Sequence, residues 1–95
     1  MIYLVTRHLG AIEWLQRNNV IVDIQCEHLN VDKINSGDVV VGILPVHLAA
    51  KVCELGGRYM HLCINIPPEE RGKELSADLM QKLGAYIQEF EVITK

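Results

Sequence analysis

Residues 38–64, DVVVGILPVHLAAKVCELGGRYMHLCI, read as strand, helix and strand in succession. DVVVGI (38–43) is a continuous apolar run, the mark of a parallel strand covered on both faces. Leu44-Pro45 stops it, and Val46, Ala49, Ala50 and Cys53 then follow the i, i+3, i+4, i+7 pattern of a helix lying on a sheet. Gly56-Gly57 closes that helix, and residues 59–64 form the second strand. A crossover of this length predicts two parallel strands, with Val40, Val41, Ile43, Leu62 and Ile64 in the core.

Working outward, residues 2–5 form a short buried strand, and Thr6-Arg7-His8-Leu9-Gly10 interrupts it before a helix over 11–18 that buries Ala11, Trp14 and Leu15. Asn18-Asn19 ends the helix, and the β-branched residues 20–24 predict a strand continuing to Cys26. Residues 27–37 are a polar link with one turn of helix around Val31 and Ile34. Beyond Pro67-Pro68 a charged loop leads to Ser76, which caps a helix over about 77–83 with Leu79 and Leu83 inward. Residues 86–94 favour an edge strand through their β-branched end, although their glutamates also fit a helix. The expected fold class is α/β, a small mostly parallel sheet with helices on both faces.

The composition sets bounds on function. Ninety-five residues, 49% hydrophobic and 22% charged, with three prolines and seven glycines, make one packed domain over 1–95 and exclude disorder. A formal charge of −3 offers no broad cationic face, so duplex DNA is not an expected partner. No membrane span and no export signal are expected, and three cysteines in apolar contexts suit a reducing, cytoplasmic setting. A chain this short buries only about two-thirds of its extended surface, which makes a homodimer the expected assembly.

Ligands of open parallel sheets sit beyond the C-terminal strand ends. Along this chain that rim carries Thr6, Arg7, His8 and Gly10, then Pro45, Val46 and His47, then Asn65, with Arg71 and Lys73 on the following loop. Pro45 suits the first helical position, and the N–H groups of Val46, His47 and Leu48 would then cradle an anion. His47 is equally well read as a capping or surface residue, Arg7-His8 as a solvated pair, and Gly10 as a plain turn. Neither GxGxxG nor GxxxxGK[ST] occurs, so a dinucleotide or nucleoside-triphosphate site has no support. Cys26-x-His28 and His61-x-Cys63 would make a zinc site only if the two pairs met, and the predicted strand order keeps them apart, so no metal or other cofactor is expected. The remaining set of Arg, His, Thr, Asn and helix N–H groups suits a phosphodiester, with His47 or His8 as acid or base and Arg7 stabilising charge.

Taken together, YLVTRH (3–8), Gly10-Ala11, Trp14-Leu15, Gly37-Asp38, Val41-Gly42, LPVHLAA (44–50) and RGKELS (71–76) resemble a small CRISPR-associated accessory family encoded beside type III systems. The resemblance implies a compact relative of the CRISPR-associated Rossmann-like sensor domains. It implies a ring nuclease that opens cyclic oligoadenylate, above all cyclic tetra-adenylate, to linear products with 2′,3′-cyclic phosphate ends. Such proteins resemble homodimers sharing one pocket and need no metal, since the substrate's own 2′-hydroxyl attacks. The motif positions carried over are Thr6, Arg7 and His8, and Pro45 with His47. A non-catalytic cyclic-nucleotide sponge or sensor and a structural adaptor are the alternatives.

Overall fold

A computed structural model describes residues 1–95. The chain runs β1 (Ile2–Val5), α1 (Leu9–Arg17), β2 (Ile24–Cys26), β3 (Val39–Gly42), α2 (Val46–Glu54), β4 (Arg58–Cys63), α3 (Ala77–Lys82) and β5 (Tyr86–Phe90), with single 3-10 turns at Val31–Lys33 and Pro68–Glu70. The strands form one sheet in the order β2-β1-β3-β4-β5, parallel throughout except that β5 pairs antiparallel with β4. The fold is a small, mostly parallel, Rossmann-like α/β sheet with helices on both faces. No helix is long and apolar enough to cross a membrane.

Strand alternation explains the two layers. Tyr3, Val40 and Tyr59 stand side by side in register, as do Leu4, Val41 and Met60. Val40 and Tyr59 point to one face and pack with Ile34, Leu44, Ala49 and Val52 of the α2 side. Leu4, Val41 and Leu62 point to the other and pack with Ala11, Trp14 and Leu15 of α1 and Ala77 and Met80 of α3. The Trp14 indole N–H donates to Gln81 Oε1 at 3.0 Å, which ties α1 to α3 without leaving the ring nitrogen unpaired.

Several expectations are corrected. β2 begins at Ile24, not Val20. Asn19 takes the left-handed region (φ 61°) and the Val20 N–H still bonds to Leu15 O, so the helix end reaches Val20 and an irregular link leads to β2, with Val20 and Val22 packed on the α1–α3 core. Ile43 is not in the core: it leaves the sheet after Gly42 and is 56% exposed, while Ile64 is half-buried. Pro45 is the N-cap of α2 with extended ψ (144°), one residue before the helix. That offset turns Val46 outward and places Ala49, Ala50 and Val52 on the buried stripe. In α3, Ala77 and Met80 are buried and Leu79 and Leu83 only partly so. Ser76 caps that helix as expected, accepting from the Leu79 N–H at 3.1 Å.

One buried hydroxyl holds the β3–α2 connection. Tyr59 Oη lies 2.9 Å from Leu44 N, 3.1 Å from Gly42 O and 2.6 Å from His61 Nδ1. A hydroxyl has one proton, so the arrangement is satisfied in full when Oη donates to Gly42 and accepts from the Leu44 N–H and from a protonated His61 Nδ1. Burial pushes the phenol above its ordinary value, so it stays neutral. Tyr59→Phe strips these buried partners of their bonds and is expected to destabilise the fold by about 1–3 kcal/mol. Urea denaturation checks this, and an unchanged midpoint refutes the anchoring role.

Candidate functional site

The order β2-β1-β3-β4-β5 makes β1 and β3 the point where the chain turns from building one side of the sheet to building the other. The connections after these two strands leave to opposite faces, and the crevice between them is the usual ligand position in such sheets. A cavity of about 270 Å³ lies there, with Thr6, Arg7 and His8 from the end of β1 in its polar lining. Val5, Ile43, Leu62, Ile64, Leu75 and Met80 give it apolar walls. Gly42 is required at its base, since a Cβ there would stand 2.5 Å from the Val5 carbonyl oxygen.

Local backbone geometry positions the three polar residues. Thr6 Oγ1 accepts from the His8 N–H at 3.0 Å, a side-chain turn that folds the TRH segment back before the helix. His8 is then the N-cap of α1 in extended conformation, and its carbonyl receives the Ala11 N–H. Its ring Nδ1 lies 3.1 Å from Glu74 Oε1, leaving Nε2 available to a ligand. Arg7 takes part in none of the six ion pairs of the chain, so its guanidinium is free to meet an anion.

The remaining predicted positions lie around this centre. Asn65 and Arg71 line a groove that meets the cavity through Ile64 and Ile66, and the Arg71 Nε–H donates to Ile66 O at 3.4 Å. Gly10 lines a second groove, continuous with the cavity through Arg7 and Leu75. Gly10 is inside α1, however, where an added Cβ would stand 2.0 Å from the Leu75 carbonyl oxygen. Its lack of a side chain serves the approach of that backbone. Lys73 is exposed on the loop, and Pro45, Val46 and His47 are exposed on the rim without lining the cavity. Of the three N–H groups expected to point outward from α2, Leu48's turns back to Pro45 O, leaving those of Val46 and His47.

Two carboxylates escaped the sequence reading. Glu27 follows β2 and lines the cavity because β2 pairs alongside β1, so its end reaches the same rim. Strand order, the fact that places it, is not written in local pattern. Glu74, one charge among several in its loop by local pattern, meets His8 across 66 residues of chain. Cys26 and Cys63 lie on strands separated by β1 and β3, so the mirrored Cys/His pairs do not meet. No three His, Cys, Asp or Glu side chains are grouped to hold a metal ion. A family model described as "Putative CRISPR-associated protein (Cas_VVA1548)" matches residues 3–93. Comparison with curated proteins and with solved structures gives no significant match.

Proposed function

The chain belongs to the CRISPR-associated Cas_VVA1548 family, and from that premise we propose that it is a ring nuclease for cyclic oligoadenylate, cyclic tetra-adenylate foremost. The observation that carries the reading is the crevice at the β1/β3 ends, where an unpaired Arg7 and an imidazole share one apolar cavity. Arg7 grips a phosphate through parallel N–H donors. The apolar walls take an adenine, and Glu27 accepts from a base amino or ribose hydroxyl group. His8 Nε2 removes the 2′-proton, the 2′-oxygen bonds to phosphorus, the P–O5′ bond breaks, and the leaving 5′-oxygen takes a proton from solvent. Holding these atoms in line supplies much of the rate enhancement, and no metal is needed.

Volume bears on assembly. About 270 Å³ is slightly below the roughly 300–1,000 Å³ of ordinary small-molecule sites, enough for one nucleoside of the ring. The rest of the ring must lie across the rim, where Ile43, Val46 and Tyr86 are 56%, 72% and 58% exposed. A second copy facing this rim covers those side chains and supplies a second cavity to a two-fold ring. The apolar lining also fits a sponge that holds the ring uncut.

Incubating the purified protein with cyclic tetra-adenylate in EDTA separates these readings. Linear products with 2′,3′-cyclic phosphate ends are expected. A retained but intact ring selects the sponge, and no retention selects an adaptor. Light scattering of the same samples at 10.7 kDa, with and without the ring, overturns the pairing.

A further inference from the structure

The geometry points to Glu74 as a positioning residue for His8, an inference that rests on the ring-nuclease reading only for its effect on cleavage. The two side chains come from opposite ends of the sequence and meet at 3.1 Å, Nδ1 to Oε1. A carboxylate accepts and never donates when ionised, so this contact selects the tautomer with the proton on Nδ1. Nε2 is then the unprotonated nitrogen, the form a general base requires.

The backbone holds the pair together. Two residues beyond His8, Gly10 packs on the Leu75 carbonyl, the residue after Glu74, at a distance that admits no side chain. Leu75 is itself buried and lines the cavity, so the segment that carries Glu74 is fixed to the cavity wall. The carboxylate also stabilises the imidazolium formed after proton abstraction. Both side chains are partly solvated, 42% and 67% exposed, so the electrostatic part is modest and the orienting part leads.

Four charged groups lie on the elements around His8. Glu74 touches it, Arg7 precedes it and shares the cavity, Glu27 lines the same cavity, and Glu13 lies in the adjoining groove with Arg7 and Glu74 while pairing with Arg17. Glu74 alone among them hydrogen-bonds the ring, so the tautomer rests on its carboxylate.

Imidazole ¹⁵N–¹H NMR of the wild type, E74Q and E74A, with H8A to assign the signal, tests this without requiring cleavage. The wild type is expected to hold neutral His8 as the Nδ1–H tautomer. E74A is expected to convert it largely to the Nε2–H form. E74Q is expected to keep more of the Nδ1–H form than E74A, because an amide oxygen still accepts. An Nε2–H tautomer in the wild type, or an E74A spectrum identical to wild type, overturns the assignment. Single-turnover cleavage adds the functional arm: E74A is expected to lose about 10-fold in rate with ring retention within about twofold. Wild type that shows the NMR signature but does not cut defeats the ring-nuclease reading and leaves the pair intact.

Discussion

Replacing His8 by alanine is expected to slow single-turnover cleavage of cyclic tetra-adenylate by about 10²- to 10⁴-fold, the usual loss when a general base is removed. His8 earns this assignment over His47 by position. It lines the cavity at the switch point and has a carboxylate on its other ring nitrogen. His47 is exposed on α2, outside the cavity lining and without a hydrogen-bond partner that would orient it. His47→Ala is therefore expected to change the rate by less than about 10-fold, the lower bound of general-base effects being well above that. Arg7→Ala should act differently from both, weakening ring retention more than it slows the saturated rate, because a free guanidinium contributes phosphate grip before and during reaction. Rates at saturating protein, with EDTA present, check all three. A near-normal rate for H8A removes histidine assistance, and a collapse confined to H47A moves the chemistry to the α2 rim. Loss of wild-type cleavage in EDTA refutes the metal-free mechanism.

The parts of the fold visible in sequence are those where local pattern and tertiary need coincide. Val39-Val40-Val41 is apolar at every position because both faces of β3 are covered, and the 38–64 unit pairs in parallel as its length requires. Ala11, Trp14 and Leu15 fall on one helical face and are all buried. Pattern misled where apolar residues serve another purpose. Val20 and Val22 are β-branched, yet they pack a helix end onto the core without entering the ladder. Ile43 continues an apolar run, but Gly42 ends the strand and Ile43 turns into the crevice rim.

The site followed the same division. Thr6, Arg7 and His8 were legible because the end of the first strand in a parallel sheet is always at the rim. Glu27 and Glu74 were not, since one depends on β2 lying beside β1 and the other on the 71–76 segment folding back over α1. Pro45 and His47 sit on the correct rim, but α2 leaves on the opposite face from α1, so a shared rim did not mean a shared cavity.

Gly10→Ala isolates that folding-back from ligand contact, because two opposing effects of known size decide its sign. Gly10 is inside α1 and its φ is not among the positive values, so alanine suits the backbone and would by propensity alone stabilise the helix by about 0.5–1 kcal/mol. Against this, the new Cβ would stand 2.0 Å from the Leu75 carbonyl oxygen and 2.9 Å from the Ser76 backbone carbons. Backbone cannot rotate away as a side chain can, so α1 must separate from the segment entering α3. Overpacking of this kind costs about 1–3 kcal/mol and occasionally more, and it outweighs the propensity gain. The strain also falls on Ser76, whose hydroxyl caps α3, and on Leu75 and Glu74 beside the cavity. A net loss of about 1 kcal/mol in a domain of this size corresponds to a melting temperature lower by roughly 4–8 °C. Thermal unfolding without any nucleotide is the decisive measurement. If Gly10 served only to let a ligand approach, the alanine variant would melt at or above the wild-type temperature and lose only ring retention, and that result would refute the packing role argued for it.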